Sequence, residues 1–289
     1  MRLNRFVLII SILLCFFPIR GAAGEKVDLP IPVFVSIAPQ AYFVRQVGGD
    51  RVRVEVLVRP GASPATYAPT PKQLARLARA KLFFRIGVPF ESALIKRIKA
   101  GMPDVRVVDT SHAVHKVNAG SAGGHGQDSE LDPHTWMDPM LVKQEAAIIA
   151  SSLAEIDPDG KAVYAEKYRV FADKLDALDA RIRSILKPFQ GRTVLAYHPA
   201  YGYFCRAYGL RQKAIESGGK APSAQHLAQL IKEAKKDRIR AILVQPQFSR
   251  KKATLLARAI GAEIIVADPL AADYMENLEK LALRLAEVL

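Results

Sequence analysis

Two histidines and an aspartate stand where an α/β chain places ligand-binding groups. His198 follows the apolar run Val194 to Tyr197 and precedes Pro199, and Asp268 follows Ile264 to Val266 and precedes Pro269. In an open α/β sheet, ligands bind in the crevice at the carboxyl ends of the strands. His134 lies in Asp132-Pro133-His134-Thr135-Trp136-Met137-Asp138-Pro139, just ahead of a helix start. Two imidazoles and one carboxylate suit zinc and related first-row divalent ions, with bonds of about 2.0–2.2 Å. Taken singly, each of these residues serves more often as a cap or hydrogen-bonding group than as a ligand, so both roles stay open at this level. Six histidines is an ordinary number, and position has to carry the argument. His112, His115 and His125 fall in a Gly-, Ser- and Ala-rich stretch between His112 and Asp132 that reads as a mobile loop, and His226 reads as a surface residue on the helix after Ser223.

The strands and helices that carry these groups are legible as alternation. Apolar, β-branched runs at Ile31 to Ile37, Val52 to Val58, Leu82 to Ile86, Val105 to Val108, Val194 to Tyr197, Ala241 to Val244 and Ile264 to Val266 recur between amphipathic stretches. Such a pattern predicts parallel sheets with crossover helices. Thr70-Pro71 with Gln73 supplies a helix cap, a proline at the first helical position and a capping-box partner. Asp138-Pro139 makes a similar start, and Ser223 precedes Leu227, Leu230, Ile231 and Ala234, which share one helical face. From Asp157 to Lys187, Tyr164, Tyr168, Phe171, Leu175, Leu178, Ile182 and Ile185 repeat at alternating four and three. A heptad of this kind also suits a coiled-coil dimer, but a single helix of about 45 Å between two strand-and-helix sets more simply forms a spine crossing both.

Composition narrows the function classes. The formal net charge is +14, yet Lys and Arg are spread along helical faces with no interleaved aromatics, which argues against nucleic acid and for a solvated surface. Arg2 and Arg5 precede the apolar run Phe6 to Pro18 and then the small residues Gly21 to Gly24, the layout of a cleaved secretory signal over 1–23. Its removal takes away Arg2, Arg5 and Arg20 and leaves +11. Cys15 follows Leu13 and Leu14, which disfavours a lipid anchor, so the exported chain keeps only Cys205 and no internal disulfide. About 265 remaining residues suffice for two lobes.

Four segments together resemble one family: Gly61 to Pro71 (GASPATYAPTP), Asp132 to Pro139 (DPHTWMDP), His198 to Leu210 (HPAYGYFCRAYGL) and Ala267 to Leu270 (ADPL). In order and spacing the chain resembles the solute-binding proteins of zinc and manganese ABC importers, the cluster A-I helical-backbone metal receptors. The resemblance implies two α/β lobes, each a parallel sheet with flanking helices, bridged by one long backbone helix: an N-terminal lobe at 24–156, a linking helix at 157–187 and a C-terminal lobe at 188–289. It implies a periplasmic receptor, not an enzyme, that captures a divalent ion and delivers it to an ABC permease in the inner membrane. A monomer is expected. His134, His198 and Asp268 then match the second, third and carboxylate ligands, and histidine at the third position tilts the cargo from Mn2+ to Zn2+. The chain departs from the family at Ala65, which stands in Pro64-Ala65-Thr66-Tyr67 where the first ligand histidine is usual, and at Ala68 and Gln245, where relatives carry acids. His125 is a candidate substitute ligand. Two alternatives remain: a receptor for a metal chelate, and a metal-dependent hydrolase using the open zinc position, although no HEXXH motif supplies a general base.

Overall fold

The computed structural model describes residues 30–118, 131–216, 222–248 and 250–289. The predicted signal at 1–23 and His125 lie outside these residues. Among the described residues eight strands form two four-stranded parallel sheets. The first contains β1 (Ile31–Val35), β2 (Val52–Val56), β3 (Leu82–Arg85) and β4 (Arg106–Asp109) in the order β2-β1-β3-β4, connected through α1 (Ala38–Gly48), α2 (Pro71–Leu77) and α3 (Glu91–Gly101). The helices α4 (Pro139–Ile156) and α5 (Lys161–Leu186) follow. The second sheet then repeats the winding with β5 (Thr193–Ala196), α6 (Gly202–Ala207), β6 (Arg211–Ala214), α7 (Ala224–Lys236), β7 (Ala241–Val244), α8 (Arg250–Ile260) and β8 (Glu263–Val266), in the order β6-β5-β7-β8, before α9 (Tyr274–Val288) closes the chain.

The seven predicted strands are present, and the eighth, β6, has the sequence Arg-Gln-Lys-Ala. It lies at a sheet edge, half solvated, so burial never demanded β-branched residues there. The predicted helix starts are formed as read. Thr70 Oγ1 accepts from the Gln73 backbone N–H at 3.3 Å, Asp138 Oδ1 from Met140 at 2.8 Å, and Ser223 Oγ from His226 at 3.1 Å.

The spine is a 26-residue helix, α5, flanked by single 3-10 turns at Pro158–Gly160 and Lys187–Phe189. Its seam Tyr164, Phe171, Leu175, Leu178, Ile182 and Leu186 is buried within the same chain, packed against α1, α4 and α9, so the heptad serves intramolecular packing and not a dimer. The helix α9 reaches back to the first half of the fold, where Tyr274 meets Phe43 of α1 edge-to-face at 4.8 Å. One apolar cluster therefore runs from β1 through α5 to β5 and α9, while a second, around Leu195, Ile242 and Leu256, fills the space between the other face of the second sheet and α7 and α8. Among the described residues no helix is long and apolar enough to cross a membrane.

Candidate metal centre

His198 stands two residues beyond the end of β5, and Gln245 one beyond β7. Gln245 is buried and clamps the histidine backbone from both sides, donating Nε2 to His198 O at 2.8 Å and accepting from His198 N at 3.4 Å. The imidazole then places Nδ1 2.5 Å from Oε1 of Glu216, a carboxylate only 4% exposed. His134 is held from its own segment. Asp132 Oδ1 accepts from the His134 backbone N–H at 2.9 Å and lies 2.7 Å from its Nδ1. Burial alone would raise the Asp132 carboxyl, but the charge and hydrogen bonds of His134, with His198 beyond, outweigh it and hold the group below the usual carboxylate range.

The structure brings these two rings together. Their centroids are 5.2 Å apart with the planes at 73°, flanked by Trp136 on His134 at 5.1 Å and by Phe248 stacked on His198 at 5.7 Å. Side-chain exposure is 14% for His134 and 27% for His198, so the pair opens to solvent without lying on the surface. Each Nδ1 is engaged by a carboxylate, and no hydrogen bond to Nε2 of either ring is found among the described residues.

Asp268 follows β8 in the strand-end position that the sequence predicts. Its segment is tied to the histidines by Trp136 Nε1, which donates to Pro269 O at 2.7 Å, and by Tyr201 OH, which donates to Ala267 O at 2.8 Å. Burial and then the nearby Asp268 carboxylate push the Tyr201 phenol well above its ordinary range. The Asp268 carboxylate itself accepts from Gln247 Nε2 at 3.2 Å and from the Leu270 backbone at 3.0 Å. Among the described residues no three His, Cys, Asp or Glu side chains are gathered closely enough to hold an ion, so Asp268 does not join the two histidines as a ready third donor.

Ala65 is exposed in the loop after β2, where its N–H donates to Ser63 Oγ at 3.3 Å. His112 and His115 are exposed, His112 Nδ1 lying 2.7 Å from Asp109 O, and His226 is on the surface of α7. Sequence reasoning missed Glu216, the partner of His198, because it follows the unrecognised β6. The role of Asp132 was within reach, since an acid two residues before a histidine can bond both its backbone and its ring. Glu145 is also buried here. Its Oε1 accepts from Thr135 at 2.6 Å, and burial pushes the acid up to about 8.

Comparison with known proteins agrees with this architecture. Residues 33–288 match the family described as zinc-uptake complex component A, periplasmic. A putative metal-binding protein of Chlamydia muridarum is 27% identical over 281 residues, covering 97% of this chain and 99% of that protein. The high-affinity zinc uptake system protein ZnuA of Bacillus subtilis is 29% identical over 272 residues, covering 90% and 85%. Among solved structures, a crystal structure of ZnuA superimposes with a TM-score of 0.84 and 38% identity, covering 90% of this chain and 99% of that one. Two four-stranded parallel sheets joined by a long helix, matched over nearly their whole length, place this chain in the zinc-uptake complex component A family of solute-binding proteins.

Proposed function

We propose that this chain is an extracytoplasmic zinc receptor, periplasmic and exported by a cleaved leader at 1–23, that hands the ion to an ABC-type permease. The observation that carries the reading is the paired histidines: each Nδ1 is engaged by a buried carboxylate, which orients the ring and raises the basicity of Nε2. An ion about 2.1 Å from each Nε2 lies roughly 3.2 Å from each ring centre, and a tetrahedral angle then separates the centres by about 5.2 Å. The rings are 5.2 Å apart. Asp268 is the third donor in this reading. To serve, its carboxylate turns away from Gln247 and the Leu270 N–H. With Ala65 at the usual first-ligand position, the fourth place goes to water or to His125. The lobes are 24–156 and 188–289, joined by the linking helix 157–187, and the chain acts as a binding protein and not as an enzyme.

Calorimetric titration of zinc and manganese into metal-stripped protein tests the proposal. One zinc per chain is expected to bind, with loss of about 100-fold or more in affinity for His134→Ala and for His198→Ala. Zinc binding that survives both substitutions would place the site elsewhere, and absence of saturable binding would end the receptor reading.

A further inference from the structure

The three donors of the proposed site come from stretches of chain far apart in sequence. His134 belongs to the segment between β4 and α4, His198 to the turn between β5 and α6, and Asp268 to the turn between β8 and α9. Contacts between these stretches therefore decide whether the donors meet one ion in the right geometry.

Three consecutive residues just past His198, at the start of α6, reach both of the other stretches. Tyr201 OH donates to Ala267 O at 2.8 Å, on the residue before Asp268. Gly202 lies against Asp132, the carboxylate behind His134: a Cβ built on this glycine would stand 3.0 Å from Asp132 Oδ2. Tyr203 OH donates to Asp132 O and accepts from the Val117 N–H, each at 3.1 Å. Val117 O in turn accepts from the Asp132 N–H at 2.8 Å, so the hydroxyl closes a ring of hydrogen bonds over the chain that leads into His134. Neighbouring residues of a helical turn point about 100° apart, which is how one helix start can face several stretches at once.

The chemistry of the side chains separates this role from simple packing. Tyr201 is fully buried and Tyr203 is 4% exposed, in the same core as Phe204, where a ring without a hydroxyl suffices. A buried hydroxyl needs a partner, and among the described residues these two find theirs on the segments that carry His134 and Asp268. The helix start is itself fixed from β6, where the buried Gln212 accepts the Tyr201 N–H at 2.7 Å.

We propose that Tyr201, Gly202 and Tyr203 are positioning residues of the zinc site: Gly202 and Tyr203 seat Asp132 behind His134, Tyr201 seats the Asp268 segment, and one helix start thereby aligns all three donors. The inference rests on the zinc-receptor reading and adds to it the element that sets the donor geometry.

Zinc affinity is measured by competition with a chelating dye for the metal-stripped parent, Tyr201→Phe, Gly202→Ala and Tyr203→Phe. Tyr168→Phe, which removes a hydroxyl on α5, is the control and binds as the parent does. Each of the other two tyrosine variants is expected to bind about fivefold or more weakly. Gly202→Ala loses about threefold or more, although alanine favours a helix over glycine. Double-mutant cycles separate positioning from general loosening: with His134→Ala, Tyr203→Phe adds less than about twofold while Tyr201→Phe keeps its effect, and with Asp268→Ala the two exchange behaviour.

A second readout needs no zinc. In imidazole 1H–15N spectra of the metal-free protein, Gly202→Ala and Tyr203→Phe shift the His134 Nδ1–H resonance, whose partner is Asp132, and leave that of His198, whose partner is Glu216, in place. Should Tyr203→Phe fail to fold, Gly202→Ala carries the same expectation for His134. Unchanged affinity in either tyrosine variant, equal losses in both backgrounds, or equal shifts of the two resonances would overturn the proposal. A parent that binds no zinc ends the receptor reading instead, and the His134 resonance then still decides whether the helix start seats Asp132 behind that ring.

Discussion

Glu216 and Asp132 each engage an imidazole Nδ1, which leaves Nε2 as the atom able to meet an ion. A Glu216→Gln side chain can still accept the Nδ1–H hydrogen bond but lacks the charge that strengthens Nε2 as a donor. Zinc affinity is therefore expected to fall about tenfold, less than for loss of His198 itself, in competition with a chelating dye. An unchanged affinity would show that Glu216 only packs. Imidazolium has no lone pair to give, so zinc is released on acidification and each binding event displaces protons. Glu145, ten residues beyond Thr135, obeys the opposite electrostatics. Burial pushes its acid up to about 8, against an ordinary 4.5, and Oε2 has no hydrogen-bond partner in the described structure. Between those two values the unfolded chain gives up a proton that the folded chain keeps, so stability declines as pH rises from about 4.5 to about 8. Glu145→Gln removes that penalty. The variant should gain several degrees in melting temperature over the parent at alkaline pH and match it near pH 5; a pH-independent difference would refute the assignment.

At the scale of elements, the junction between α4 and α5 is pinned by one carboxylate. Asp157 receives Arg51 Nε at 2.7 Å and Arg51 Nη2 at 2.9 Å, and the Tyr164 hydroxyl at 2.5 Å. Burial would raise this carboxyl, but Tyr164 and Arg51 outweigh it and hold it below its ordinary range. Its stabilising effect is therefore complete above that ordinary range and is lost as pH falls through the depressed folded value. Arg51→Ala should lower stability at neutral pH and flatten the acid limb of the stability curve, as followed by urea unfolding between pH 7 and pH 3. An acid limb as steep as the parent's would mean that the hydroxyl of Tyr164 alone sets the carboxylate. Capped starts such as Thr70-Pro71 and Asp138-Pro139 were legible because a cap is a local hydrogen bond, written within three residues of sequence. The strand β6 was not, since an edge strand owes its conformation to the neighbour it pairs with and not to its own side chains.

For the whole molecule, the continuous apolar cluster linking both sheets through α5 predicts one cooperative unfolding event. The single tryptophan, Trp136, is buried between the histidine segment and Pro269, so its fluorescence and the helical circular dichroism should change together. Leu178→Ala, in the fully buried seam of the spine, is expected to lower stability by about 2–4 kcal/mol while keeping the two probes coincident. Separate transitions would mean that the halves unfold independently. Elements whose signals are local or periodic were readable from the order of residues alone: seven apolar strands, the capped helices, the heptad spine, and the strand-end positions of His198 and Asp268. The same residues also carried the family resemblance, through short segments in the right order. It took the folded chain to show that His134 and His198 lie against each other, that Glu216 stands behind one ring and Asp132 behind the other, that Asp268 is held by Gln247 and Leu270, and that α9 returns to α1. Each of these joins residues far apart along the chain or depends on a side-chain orientation, and such contacts are set by how separately formed elements pack, which no local pattern of residues records.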